Sequence, residues 1–144
     1  MIIKDGIIQD NTIEGVPFRR GVVPRVTGYH RPGSKYKKTS ITNHNTDNTN
    51  TTATADAHQR LLRNSEAKRT NRTGGFEKAQ TSYHFVIDDK EIIQCLPITE
   101  TSHCQGHLQG NRTSISIEIC DNFYYTNKSK YNKAIDNAIK LNPS

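Results

Sequence analysis

Tryptophan is absent from this 144-residue chain, there is a single methionine, and apolar residues make up only 32% of it. So small an apolar share excludes a large core and favours a loop-rich surface around one modest domain. Cysteine is scarce: Cys95, Cys104 and Cys120 are odd in number and irregular in spacing, with no CxxC pair. That argues against a structural zinc knuckle and against a disulfide framework, and fits reduced thiols in a protein made in the cytosol. No long apolar run exists. Met1-Ile-Ile-Lys-Asp5 does not read as a signal peptide, and no stretch reads as a membrane span, so action outside the cell would need separate release. Acidic residues are outnumbered, 14 Asp+Glu against 20 Lys+Arg, for a formal charge of +6. A basic surface suits an anionic partner: nucleic acid, an acidic membrane or an acidic wall polymer. The basic segment 1–38 carries only Phe18, Tyr29 and Tyr36 as aromatics, too few for a base-stacking surface.

What is present reads as an α/β domain with a central mixed β-sheet flanked by helices. Residues 1–38 read as a solvated basic arm, with Ile2-Ile3 and Ile7-Ile8 as short extended pieces and Gly/Pro turns elsewhere. The domain proper is expected over 39–144. Residues 39–44 form a strand ending in His44, and a polar tract leads to a helix over Ala55–Asn64 that turns Ala57, Leu61 and Leu62 inward. A loop follows over 65–80. Strands at 82–88 and 91–96 are joined by the turn Asp88-Asp-Lys90. Residues 97–112 read as a loop and 114–120 as a strand. Tyr131, Ala134, Ile135, Ala138 and Ile139 mark one face of a last helix, with Ser129 as its N-cap.

Chemistry-bearing residues gather at the strand ends. In Thr113-Ser-Ile-Ser-Ile-Glu-Ile-Cys120 a period of two sets the isoleucines on one face and Glu118 on the other. His84 lies in an apolar strand and reads as a buried histidine bonded to backbone, while Tyr83 points to the opposite face, where its phenol is placed to meet an oxyanion. His103 and His107 are four apart, but Gly106 and the lack of helix formers argue for a loop rather than an HExxH helix. A Cys104 or Cys120 nucleophile paired with a histidine is the weak alternative.

Four ordered blocks carry a resemblance: Ile41-Thr-Asn-His-Asn-Thr46; Ser82-Tyr-His-Phe85 with Asp88-Asp-Lys-Glu-Ile-Ile-Gln94 and Leu96-Pro97; Ser102-His103; and Gly110-Asn-Arg-Thr-Ser-Ile-Ser-Ile-Glu-Ile-Cys120. Together they resemble the type-2 family of N-acetylmuramoyl-L-alanine amidases, which includes phage endolysins and autolysins and is similar in fold to peptidoglycan recognition proteins. The likeness runs from about residue 39 to 140.

The resemblance implies a zinc hydrolase of peptidoglycan that cuts the amide between muramic acid and L-alanine, acting on the cell wall after release. It implies His44 as the first zinc ligand, Glu118 as the catalytic carboxylate, Tyr83 as a catalytic tyrosine, and His103 and Asn45 as residues on the substrate. It also implies a second and third ligand, a His and a Cys or Asp, in a block beyond the last helix, and no residue here matches them. A catalytic zinc takes three protein ligands and a water. The expectations that follow are a C-terminally truncated, weakened enzyme, completion by a dimer or a separate C-terminal piece, or recruitment of His103, His107 or Cys104. A non-catalytic peptidoglycan binder is the alternative of another class. Asn43, Ser102 and Cys104 depart from the family's usual apolar, Trp and small residues.

Overall fold

The computed structural model describes residues 1–67, 81–104 and 106–142. Most of the loop expected over 65–80 lies outside them. The elements run β1 (Ile3–Lys4), β2 (Ile7–Ile8), β3 (Thr12–Ile13), β4 (Val16–Arg20), β5 (Ser40–Asn45), α1 (Ala55–Ala67), β6 (Phe85–Ile87), β7 (Ile92–Gln94), α2 (Leu108–Thr113), β8 (Ser114–Ile119) and α3 (Lys128–Leu141). Six strands form one mixed sheet in the order β3-β4-β7-β6-β8-β5, and β1 and β2 pair separately. The central strand β6 is parallel to β8 and antiparallel to β7, and β5 is parallel to β8.

A helix covers each face, so the three residues of β6 are all buried, as expected where a strand is covered on both sides. On one face Phe85, Ile87, Ile92 and Ile117 pack with Phe18 and with Ala138 and Leu141 of α3. On the other, Val86, Ile93, Tyr83, Cys95 and Cys120 pack with Ala55 and Leu62 of α1. The turn 88–90 holds this together: Asp88 Oδ1 accepts the Lys90 and Glu91 N–H groups, while Oδ2 accepts the Ala55 N–H at the start of α1.

The first 38 residues are less of an arm than expected. Val16 and Phe18 alternate inward on β4, which runs parallel to β7 inside the sheet. Two hairpin turns prepare this: Asp5-Gly6 and Glu14-Gly15 each have both φ angles positive, the geometry of a two-residue turn matched to strand twist. Buried polar side chains then tie the segment down. Gln94 donates to the Gly6 and Leu96 carbonyls and accepts from the Ile8 N–H. Glu66 accepts from the N–H groups of Thr27, Gly28 and His30 and from the Thr27 hydroxyl. Arg31 makes a two-pronged pair with Glu100 at 2.8 and 2.9 Å.

Both long helices are rotated from their expected faces. On α1 the buried set is Ala55, Gln59, Leu62 and Glu66, while Leu61 is 64% exposed. On α3 it is Ala134, Asn137, Ala138 and Leu141, with Ile139 63% exposed. In each case a polar residue with a specific partner replaces an apolar one: Gln59 donates to the Gly21 carbonyl and Asn137 to that of Asp88. Asn127, not Ser129, caps α3 by accepting the Lys130 N–H. Within the expected loop 97–112, residues 108–113 form α2, capped by the His107 ring through Gly110 N–H.

Candidate active site at the ends of β5 and β8

Register places His44 of β5 directly beside Glu118 of β8, and Val86 of β6 beside Glu118 in turn. Residues paired in this way share a face, so both polar groups emerge on the α1 side of the sheet. β5 is an edge strand and leaves His44 half-buried; β8 is interior and leaves Glu118 only 8% exposed.

The imidazole and the carboxylate are both under-served. His44 Nε2 is buried and has no hydrogen-bond partner, a state that costs free energy unless something outside the chain meets it. Burial raises the Glu118 carboxyl from the ordinary 4.5 to about 7, with the negative charges of Asp47 and Asp121 adding to the effect. A carboxyl titrating near neutrality takes and returns a proton at working pH.

Asp121 holds the frame. Its Oδ1 accepts Asn45 Nδ2 at 2.8 Å and its Oδ2 accepts the Asp47 N–H at 3.0 Å, pinning the turn after His44 to the end of β8. Thr46 N–H reaches the Ile119 carbonyl at 3.0 Å and completes the clamp. Asp47 sits at φ 55, in the left-handed region, where a short polar side chain is tolerated. Neither aspartate stood out in the sequence; the available signal was an acidic residue directly after a carboxylate-bearing strand.

Tyr83 borders Glu118, whose charge helps burial to raise the phenol's pKa, and its hydroxyl donates to the His58 carbonyl at 2.9 Å. Asn45 belongs to the clamp. The His103 carbonyl accepts the Ser82 N–H and the His103 N–H donates to Ser82 Oγ, while its ring, bonded to Tyr29 backbone, is held below the usual histidine range by burial. Among the described residues no hydrogen bond joins His103 or His107 to His44 or Glu118. His84 is a core residue, as expected: Nε2 meets the Glu100 carbonyl at 2.7 Å, Nδ1 accepts the Ser116 N–H, and burial lowers its pKa to about 4. Ser102 extends that network through Ser116 Oγ at 2.9 Å. Burial pushes the Cys95 and Cys120 thiols well up, which removes Cys120 as a nucleophile.

For a metal, His44 Nε2 is a fitting donor, orphaned and facing the site. The His58 ring also leaves a buried Nε2 without a partner. Yet no three His, Cys, Asp or Glu residues converge among the described residues. Among the described residues His44 is thus a candidate donor without two converging partners.

The mixed sheet with flanking helices, carrying a histidine and a near-neutral carboxylate side by side near its strand ends, is the α/β architecture of the solved amidase domains. Residues 34–142 match the N-acetylmuramoyl-L-alanine amidase family, and the chain belongs to it. Among curated relatives, the amidase XlyA of Bacillus subtilis (strain 168) is 43% identical over 95 residues, covering 65% of this chain and 28% of XlyA. CwlH of the same organism is 36% identical over 110 residues, covering 74% of this chain and 39% of CwlH. The chain thus spans well under half the length of these relatives. The solved catalytic domain of XlyA superimposes with a TM-score of 0.66 at 36% identity, covering 85% of this chain and 71% of that one. PlyL gives 0.62 at 30% identity, covering 88% and 69%. The likeness to Staphylococcus aureus AmiA, at 17% identity and a TM-score of 0.60, concerns the fold alone.

Proposed function

We propose that this chain works in hydrolysis of the amide between N-acetylmuramic acid and L-alanine in peptidoglycan, acting on the cell wall after release from the cytoplasm, as phage-type endolysins do. The observation that carries this is the His44–Glu118 pair, set in register on adjacent strands in a member of the amidase family. Glu118 is the proton-transfer group: near pH 7 it accepts a proton from the attacking water and delivers it to the departing alanine nitrogen. Asn45, on the clamp, and His103 are the substrate contacts. Tyr83 stabilises the oxyanion only if its hydroxyl leaves the His58 carbonyl. The reading includes zinc dependence with His44 as one ligand. A catalytic zinc takes three protein ligands, and no three converge among the described residues, so at least one donor comes from outside them.

The test is incubation of metal-loaded protein with purified peptidoglycan, scoring new L-alanine amino termini. Their appearance with wild type and loss with Glu118→Gln supports the proposal. A second reading, a non-catalytic peptidoglycan binder, draws on the lack of converging metal donors among the described residues. It predicts sedimentation with the polymer, no new amino termini and no zinc retained after dialysis.

A further inference from the structure

We propose that Tyr124, Tyr125 and Tyr131 form a platform that stacks against a pyranose ring of the glycan strand, alongside the His44–Glu118 site. This rests on the peptidoglycan reading above. The chain has six tyrosines and four phenylalanines, and four of these ten aromatics fall within residues 123–131. Phe18, Tyr83 and Phe85 are buried in the core, whereas Tyr125 is 79% exposed and Tyr124 40%. The rings nonetheless contact one another. The rings of Tyr124 and Tyr125 meet edge to face at 4.9 Å and 90°, and those of Tyr124 and Tyr131 at 5.2 Å and 88°. Lys128 Nζ sits 4.1 Å from the Tyr124 centroid and 5.4 Å from that of Tyr131. The cation occupies that face of Tyr124 and leaves Tyr125 as the ring presented outward.

The cluster is continuous with the candidate site. Tyr124 N–H bonds to the Asp121 carbonyl at 2.9 Å, and Asn45 Nδ2 lies 3.5 Å from the Tyr131 hydroxyl. The same Asp121 and Asn45 pin the turn after His44; Asn45 alternates with His44 and turns to the α3 face, so the rings adjoin the strand end that carries the site from that side.

Chemistry selects the saccharide. A muramoyl amide hangs from a sugar, so a pyranose must lie within one residue of the scissile bond. Pyranose faces present C–H groups that lie flat on an aromatic ring, and the phenol hydroxyls meet sugar hydroxyls at the rim. Small stem-peptide side chains offer no such face. The ammonium of Lys128 supplies positive charge for the polymer's carboxylates. Rings that already contact one another lose less conformational freedom on binding than isolated ones.

The full chain lacks tryptophan, so its fluorescence reports tyrosine directly. Titration with the tetramer of N-acetylglucosamine should give a saturable change, about tenfold weaker in Tyr125→Ala, a loss in keeping with one stacking contact. Ile139→Ala, at another exposed apolar site, should bind as wild type, and both variants should keep the wild-type unfolding midpoint. Three results overturn the platform: no saturable binding, equal affinity in Tyr125→Ala, or equally tight, salt-sensitive binding of oligothymidylate, which marks a charge-driven surface. Free stem peptide whose binding depends on Tyr125 would also overturn it, by making the occupant a peptide. Sedimentation with intact peptidoglycan separates the two levels. If wild type stays in solution, the peptidoglycan reading itself fails. If Tyr125→Ala sediments as fully as wild type, only the platform does.

Discussion

Replacing Glu118 with glutamine should make the protein more stable above neutral pH, and the structure sets the size of the gain. The carboxyl titrates near 7 in the fold against an ordinary 4.5. Between those values the native state holds a proton that the unfolded chain has released, so stability falls as pH rises through this window. Below about pH 4.5 both states are protonated and the group costs nothing. Above about pH 7 both are ionised and the full cost is present, ~3 kcal/mol as an upper bound at about 1.4 kcal/mol per pH unit. Glutamine keeps the shape without the charge. At pH 8 the variant should therefore gain ~1–3 kcal/mol, about 3–10 °C in Tm for a domain of this size. At pH 4.5 the two proteins should melt together. Thermal unfolding followed by far-ultraviolet circular dichroism, in chelator, from pH 4.5 to 8, measures both ends. A variant no more stable than wild type at pH 8, or a gain independent of pH, would show that Glu118 is well solvated and ionised. The reasoning about proton transfer would fall with it.

Other substitutions test the packing. Leu62→Ala should cost ~2–4 kcal/mol, whereas Leu61→Ser, at a position 64% exposed, should stay within ~0.5 kcal/mol by urea unfolding. Arg31→Ala strips the counter-charge from Glu100, whose side chain is 7% exposed, and should cost ~3 kcal/mol, with Arg31→Lys recovering part of it. Gly6→Ala places a Cβ 2.8 Å from Thr99 Oγ1 at a φ of 77°, and should lower stability by more than ~1 kcal/mol in the same assay.

The sheet's centre was legible because its signals are local. Alternation in Ser114–Ile119 gave β8 and the facing of Glu118, and the turn at Asp88 gave the β6–β7 hairpin. The face of each long helix was not legible. Hydropathy ranks Leu61 above Gln59 and Ile139 above Asn137, but burial follows partners: the Gly21 carbonyl for Gln59 and the Asp88 carbonyl for Asn137, each supplied from far along the chain. The strand β4 was hidden by Pro17 and the arginines after Phe18. Its clue lay in Asp5-Gly6 and Glu14-Gly15, each a two-residue turn between short extended pairs. At the candidate site the motif blocks singled out His44 and Glu118 but not Asp121, because a clamp is visible only once both of the ends it joins are placed.

The distribution of satisfied and unsatisfied polar groups bears on the proposed site. Gln94, Glu66, Asp88 and His84 are buried deeply, and each has the partners it needs. His44 Nε2 has none, as is also true of His58 Nε2 and Asn137 Oδ1, but only His44 lies in register with Glu118, which is buried beside two like charges that raise the free energy of its ionised form. A fold that satisfies buried polar groups across its N-terminal segment has the means to satisfy these two, and core packing alone would favour apolar residues at both positions. They sit in register, on one face, at the ends of neighbouring strands. Asp121 spends both carboxylate oxygens fixing the turn beside them, so the arrangement is rigid as well as costly. Local instability held in a rigid frame is what a preorganised site requires. That argues for reading the pair as reactive groups awaiting a substrate or metal, rather than as a loosely packed sheet edge.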